Sequence, residues 1–349
     1  MLYSNLLYKI FENCNKYGRD PMNSNFLLVS RNIREEYLLY LSNIKYLCLT
    51  EGPLKNFEWL KNIIELDIED FEFEDNDLLE INKLKTLKSM TLCNSNMNDR
   101  QISLLSNLGC LEYLDLDGCQ NIHDNGFEFI CENFRDLYYL NINGINIDRN
   151  IIQKIVFLKD LEILEIGNIS DPIFIKYISK LENLQKLIIS IDSDIDSKQN
   201  MMEYIKYLGE FKNIQEIIIY YSKNNEYTTL KDLQITENIT KNLIKNKTLK
   251  KLKLNYFDLC INNIYHLINK NLLDLKFNYC WWLDRQEMWS YINENLDDIK
   301  NMHLEIHDRL MFCSDDDLDI IDEIMKNKEN LTINIDENES HSFQFTQDI

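Results

Sequence analysis

Leu108–Ile130 reads LGCLEYLDLDGCQNIHDNGFEFI, with leucines at 108, 111, 114 and 116 in the spacing L-x-x-L-x-x-L-x-L, followed by Cys119. Alternation at 114 and 116 is the period of a strand, whose every second side chain shares one face. The following stretch, Asp124 to Glu132, carries the looser spacing of a short helix. The pattern recurs at Leu84, Leu87, Met90, Leu92; Phe134, Leu137, Leu140, Ile142; Leu158, Leu161, Leu164, Ile166; and Leu181, Leu184, Leu187, Ile189. Later copies are Phe211, Ile214, Ile217, Ile219; Leu249, Leu252, Leu254; and Leu272, Leu275, Phe277 with Cys280. Weaker ones lie at Ile44, Leu47, Leu49; Leu60, Ile63, Leu66, Ile68; Ile299, Met302, Leu304; and Leu331, Ile333, Ile335. The penultimate apolar position falls at 47, 66, 90, 114, 140, 164, 187, 217, 252, 275, 302 and 333, so the interval stays near 24 from 66 to 187 and then widens. One such coil cannot bury a core alone, whereas stacked neighbours can. The expected fold class is an α/β solenoid of short parallel strands with helices outside, with about eleven or twelve coils over residues 43–349.

This periodicity resembles the leucine-rich repeats, and the first string resembles their cysteine-containing class. In that class L-x-x-L-x-L-x-x-C precedes an N-I-x-D-type segment and a helix, matched here by Leu111 to Cys119 and then Asn121, Ile122 and Asp124. Cys119 and Cys280 take the cysteine place, while Ile145 and Ile169 stand there in other coils. The resemblance implies a horseshoe with strands on its concave side. Two polar stretches, Ile191 to Asn200 (IDSDIDSKQN) and Ser222 to Thr229 (SKNNEYTT), lengthen the period. They read as loops ahead of helices at Met201–Phe211 and Asn238–Lys245, and such insertions are places where binding residues collect.

Residues 1–42 do not follow the period. Leu6, Leu7, Ile10 and Phe11 form an apolar stripe at helical spacing, and Phe26, Leu27, Val29, Ile33 and Leu38 suggest two further short helices. The string LYSNLLYKIFENC, and Leu28, Val29, Ser30, Arg31, Ile33 and Arg34 after it, resemble an F-box, the module that docks on the Skp subunit of cullin–RING ubiquitin ligases. Tyr3 stands where that family has Pro, Asn5 where it has Glu, and Ile33 where it has Trp. The resemblance implies Skp docking through Leu2, Leu6, Leu7, Ile10, Val29 and Ile33, with a protein substrate held by the repeats for ubiquitination. The alternative is a helical cap on the first coil of a leucine-rich-repeat effector or scaffold without a ubiquitin link.

The 349 residues carry 58 acidic and 37 basic side chains, a formal charge of −21. That charge disfavours binding to phosphate backbones and anionic membranes. Residues 1–42 hold five basic and four acidic side chains, so the negative charge belongs to the repeats. Only 8 Gly and 3 Pro occur, which excludes glycine-rich phosphate loops and proline-rich linkers. Asparagine numbers 44, the bias of an AT-rich coding genome. Nine cysteines without a C-x-x-C, no secretory leader pattern and no long apolar run point to a reducing cytoplasmic or nuclear compartment.

No Walker, Rossmann, H-E-x-x-H or G-x-S-x-G string is present, so neither an enzyme nor a cofactor is expected. His303, Glu305 and His307 alternate with apolar residues and would share a strand face. Two imidazoles and a carboxylate can hold zinc, but exposed positions of a late coil are the preferred reading. Trp281 and Trp282 read either as an aromatic anchor for a partner or as packing against the next coil. The residues flanking each L-x-L line up across coils on the concave side: Glu65, Asp67, Tyr113, Asp115, Asp117, Tyr139, Asn141 and Glu165, then Lys253 and Lys276. Like charges on adjacent rungs repel, so a protein partner of complementary charge is expected there, with the chain a monomer outside that complex.

Overall fold

In the computed structural model the described residues are 31–49, 57–169, 171–192, 203, 205–222, 233–268, 272–283, 285–295, 303–308, 320, 323–324, 326, 331–337 and 341–344. The chain divides into two compact units, Met1–Ile166 and Gly167–Ile349. The sequence boundary expected at 42/43 falls within the first of them, where helix α1 (Arg31–Asn43) leads directly into the first strand and buries Tyr40 and Leu41.

Unit 1 stacks parallel strands β1 (Tyr46–Leu49), β2 (Glu65–Ile68), β3 (Ser89–Thr91), β4 (Tyr113–Asp115) and β5 (Tyr139–Asn141). The start of β6 (Ile163–Ile169) pairs with β5. Leu47, Leu66, Met90, Leu114, Leu140 and Leu164 stand in one register row, each no more than 1% exposed. Each buried leucine contributes about 1.5–3 kcal/mol, available only because a neighbouring coil covers it. Short helices α2 (Asp75–Ile81), α3 (Asp99–Ile102) and α4 (Asp124–Asn133) return the chain and bury Leu78, Ile102, Phe127 and Ile130 against the strands' inner side. The helix expected after Asp124 is α4.

Three devices repeat from coil to coil. Four residues after the register leucine the backbone turns left-handed, at Asp70 (φ 53), Asn94 (φ 53), Gly118 (φ 72) and Gly144 (φ 83). These residue types tolerate that region best. The buried thiol of Cys119 donates to the Leu92 carbonyl of the preceding coil at 3.0 Å, and Ile145 fills the same place in the next coil. At the helix starts, Asp99 accepts the His123 N–H at 2.6 Å and Asp124 accepts the Asp148 N–H at 2.7 Å.

Unit 2 contains parallel strands β7 (Lys186–Asp192), β8 (Glu216–Ser222), β9 (Lys251–Asn255), β11 (Asp274–Trp282), β12 (His303–Asp308) and β13 (Leu331–Glu337), paired in that order. The two-residue β10 (Asp258–Leu259) pairs with the end of β11, and β14 (His341–Gln344) runs antiparallel to β13. The register row is Leu187, Ile217, Leu252, Leu275, Leu304 and Leu331. The last two rows therefore sit at 304 and 331, not at 302 and 333. A slip of two residues keeps every side chain on its face, so apolar alternation alone does not fix it.

Helices α5 (Ile173–Ile178), α6 (Leu233–Leu243), α7 (Ile261–Ile268) and α8 (Arg285–Glu294) belong to this unit. Helix α6 begins five residues before the expected Asn238 and ends at 243 rather than 245. It buries Thr236 and Thr240, whose hydroxyls donate back to the carbonyls of Leu233 and Glu237 at 3.0 and 2.9 Å. This local bonding lets a polar-looking stretch face the core. Helix is also present at 203 and 205–208, with Ile205 and Leu208 buried. Of the loops expected at Ile191–Asn200 and Ser222–Thr229, Ile191, Asp192 and Ser222 instead end strands β7 and β8, and 193–200 and 223–229 lie outside the described residues.

Candidate functional site

The outward side chains of unit 1 form two ladders. One runs Tyr46, Glu65, Ser89, Tyr113, Tyr139, Ile163; the other runs Cys48, Asp67, Thr91, Asp115, Asn141, Glu165. The rings of Tyr113 and Tyr139 stack with centroids 4.0 Å apart and planes within 3°. The Tyr139 hydroxyl donates to Glu165 Oε1 at 2.9 Å and lies 3.5 Å from Asp115 Oδ2, while Tyr46 donates to Asp67 Oδ2 at 3.3 Å. Partial burial, then the neighbouring tyrosine and carboxylates, push the Tyr139 phenol far up, so it remains a donor. Burial and then Asp115 likewise raise the Cys93 thiol, whose Sγ donates to Asp115 Oδ1 at 3.3 Å.

Asp115 also accepts the Asp117 N–H, and Asn141 accepts the Asn143 N–H, both at 3.0 Å. The two residues thus play one structural part in successive coils. Asn143 Nδ2 donates to Asp117 Oδ1 at 3.0 Å. Asn141 is 6% exposed, so this expected contact residue is largely enclosed by its neighbours. The other expected positions differ in access: Glu65 is exposed, while Asp67, Tyr113, Asp115, Asp117, Tyr139 and Glu165 are half-buried.

Like charges do not occupy adjacent rungs as the sequence led us to expect. Thr91 separates Asp67 from Asp115, and Asn141 separates Asp115 from Glu165. Two strand spacings separate their backbones by about 9.5 Å, while the shared Tyr139 hydroxyl draws the Asp115 and Glu165 carboxylates closer together than that. Among the described residues no Lys or Arg pairs with Glu65, Asp67, Asp115 or Asp117. Four cations of this unit are engaged elsewhere: Lys83 with Glu80, Lys88 with Glu112, Arg100 with Asp75, and Lys154 with Glu128 and Glu132.

Unit 2 presents the opposite arrangement. Its first ladder alternates sign across Lys186, Glu216, Lys251 and Asp274, with His303 on the next strand. Lys186 lies 3.2 Å and Lys251 3.9 Å from Glu216, and His303 Nδ1 lies 3.0 Å from Asp274. In the next ladder Lys276 pairs with Glu305 at 2.6 Å, whereas Lys253 has no acidic partner among the described residues. The basic stretch read from sequence is therefore largely neutralised within its own sheet. The compensating Glu216 and Asp274 escaped the sequence reading, and Glu305 was read only beside its two histidines, because their pairing depends on the register between coils.

The remaining candidates separate clearly. Leu2, Leu6, Leu7, Ile10 and Val29 lie outside the described residues, and Ile33 lies on α1. His303 and Glu305 face outward on β12, each engaged by Asp274 or Lys276, and His307 shares their strand. Among the described residues no three His, Cys, Asp or Glu side chains gather as a metal set. Trp282 is 2% exposed and meets Phe277 edge-on at 5.1 Å, which makes it core and not an anchor. An open groove of about 500 Å³, lined by Lys45, Asn62, Lys85, Thr86 and Lys88 among others, lies at the N-terminal ends of the unit 1 strands. Its Asn62 and Thr86 bond the Ser42 and Ile63 carbonyls at 2.6 and 2.7 Å, tying coils together.

No helix among the described residues is long and apolar enough to cross a membrane. No curated protein sequence matches the chain. A solved internalin from Listeria monocytogenes is similar at 16% identity, over 79% of this chain and 89% of that one, with a TM-score of 0.38. The profile of the leucine-rich repeat region matches residues 41–277, more than half of the sequence. The chain belongs to the leucine-rich repeat family, whose repeats serve typically as non-catalytic protein-binding surfaces.

Proposed function

We propose that this protein is a non-catalytic adaptor whose unit 1 sheet face captures a protein partner of positive charge. One observation carries the reading. Glu216 and Glu305 on the unit 2 strands pair with lysines and Asp274 bonds His303, whereas Asp67, Asp115 and Asp117 of unit 1 meet no cation among the described residues. An acidic face bearing rigid tyrosines suits a cationic surface, with charge guiding encounter and the rings supplying contact area. Resemblance of residues 1–42 to an F-box extends the reading to a Skp–cullin–F-box ubiquitin ligase. There Leu2, Leu6, Leu7, Ile10, Val29 and Ile33 would meet the Skp subunit, and the captured protein would be the substrate.

The two parts are tested separately. Retention of the wild type on an immobilised Skp-type subunit, abolished by Leu7→Asp with Ile10→Asp, supports the ligase link; no retention of the wild type removes it. Co-purification from the native host cell, repeated with Asp115→Lys and Asp117→Lys, tests the face. Partners that are lost from the reversed variant support it, and an unchanged set overturns it.

A further inference from the structure

The groove at the N-terminal ends of the unit 1 strands has a regular construction. Asn43, Asn62, Thr86 and Cys110 each stand three residues before a strand, in successive coils. Lys45, Ile64 and Lys88 stand immediately before β1, β2 and β3, so two rows run across the coils as the sides of the groove. Lys85 adds a third cation from the position before Thr86. Four coils span three strand spacings, about 14 Å, and the groove encloses about 500 Å³. An extended chain rises about 3.3 Å per residue, so about four residues fill that length.

One side of the groove is fixed by its own bonding. The Asn43 and Asn62 amides donate to the Leu39 and Ser42 carbonyls at 2.7 and 2.6 Å, and the Thr86 hydroxyl donates to the Ile63 carbonyl at 2.7 Å. The amide oxygens of both asparagines keep their acceptor capacity, which suits the N–H groups of an extended backbone. The cations, by contrast, are available. Lys45 and Lys85 are exposed and meet no carboxylate among the described residues, while Lys88 shares Glu112. Half-buried Ile64 leaves an apolar strip between Lys45 and Lys88.

Charge also bounds the groove. Beyond Cys110 the same two rows turn acidic, at Glu112 and Asp136. The chain as a whole carries −21, so an acidic segment is repelled by the net charge and attracted here. A phosphate polyanion is held by cations along a much longer run, whereas a groove four residues long with an apolar strip suits a polypeptide.

We infer that this groove binds an extended acidic segment of a partner protein, its carboxylates meeting Lys45, Lys85 and Lys88 and an apolar side chain between them resting on Ile64. The site uses none of the sheet-face acids, so it goes beyond the cation-capturing reading and does not depend on it.

The experiment measures fluorescence anisotropy of a labelled peptide with glutamates on both sides of a leucine, added to the full chain at low ionic strength. It should bind at least about tenfold more tightly than its glutamine counterpart. Lys45→Glu with Lys85→Glu should weaken it by at least about tenfold. Both lysines are exposed, so an unchanged melting curve is expected; Lys45→Gln with Lys85→Gln serves as the milder pair and should weaken binding in the same direction. The exposed Cys110 thiol reports the position directly. The peptide should slow its alkylation by iodoacetamide in proportion to occupancy, read by mass spectrometry of the fragment that carries Cys110. Equal binding of the glutamine peptide, undiminished affinity in both lysine variants, or unslowed alkylation at Cys110 overturns the site. Tighter binding of inorganic polyphosphate than of the glutamate peptide overturns the polypeptide assignment. None of these outcomes bears on the sheet face, which Asp115→Lys with Asp117→Lys tests separately.

Discussion

Backbone conformation at single residues separates the two units. Asp70, Asn94, Gly118 and Gly144 occupy the left-handed turn in unit 1, while Tyr256 (φ 66) and Tyr279 (φ 54) occupy the equivalent place in unit 2. Those tyrosine rings stack 5.1 Å apart, a contact that offsets part of the backbone cost. A Cβ at Gly144 would meet only the Gly118 backbone at 3.4 Å, so Gly144→Ala should cost about 1–2 kcal/mol from φ alone. Gly144→Asn should cost less, because Asn94 already adopts that turn. Gly118→Ala should cost most, since its Cβ would fall 2.1 Å from Asn94 Oδ1 and displace that side chain. Urea denaturation of the three variants gives this ranking or refutes it.

Asp117 supplies a pH-dependent counterpart. Burial, reinforced by nearby Asp115, raises its carboxyl above the ordinary value of 3.8, although the Asn143 hydrogen bond opposes the shift. A raised carboxyl stabilises the fold while protonated, below its unfolded value, and that contribution is lost as pH rises through the folded value. Asp117→Asn keeps an acceptor for Asn143 and removes the titration. It should melt higher than the wild type at pH 7, with the advantage fading as pH falls towards 3.8. An advantage that does not vary between pH 3 and 7 would show that the ionised form carries no penalty.

At the level of elements, the repeat was legible wherever one L-x-L pair stood between polar neighbours, as at Leu114 and Leu116. It slipped at Met302, Leu304 and Ile306, and again at Leu331, Ile333 and Ile335, because three alternating apolar residues fit two registers with the same inward face. Helix α4 was legible from Asp124 onward; α6 was not, since Thr236 and Thr240 bury their hydroxyls by bonding within the helix. The candidate site divided similarly. Which residues face outward follows from period two, and Tyr113, Asp115 and Tyr139 were found that way. Which outward residues face each other depends on the 24-residue step between coils, and that step sets Thr91 between Asp67 and Asp115. Asn141 looked exposed from its polarity, yet it closes its own turn through Asn143. Tyr46 was accessible to the same reasoning, standing immediately before Leu47, and it anchors Asp67.

For the whole molecule, the charge of −21 has two different settings. In the unit 2 sheet attraction between opposite charges dominates, and added salt weakens it. In unit 1 the carboxylates of the sheet face recur on every second strand and repel one another within about a Debye length at 0.1 M salt, so added salt relieves them. Neutralising them together by Asp67→Asn, Asp115→Asn and Glu165→Gln preserves the oxygen acceptors for Tyr46 and Tyr139 while removing three negative charges. The variant should therefore melt above the wild type at low ionic strength, and the gap should close between about 10 and 300 mM salt. The same substitutions should abolish capture of a cationic partner, which in the wild type would relieve that self-repulsion at low salt. Binding would in turn raise the wild-type melting temperature by linkage, and more at low salt than at high. Thermal melts of both proteins, with and without a lysine-rich peptide, measure the two effects in one series. A variant that gains no stability at low salt would mean that hydrogen bonding at these carboxylates outweighs their repulsion, and the face would then be acidic without being strained.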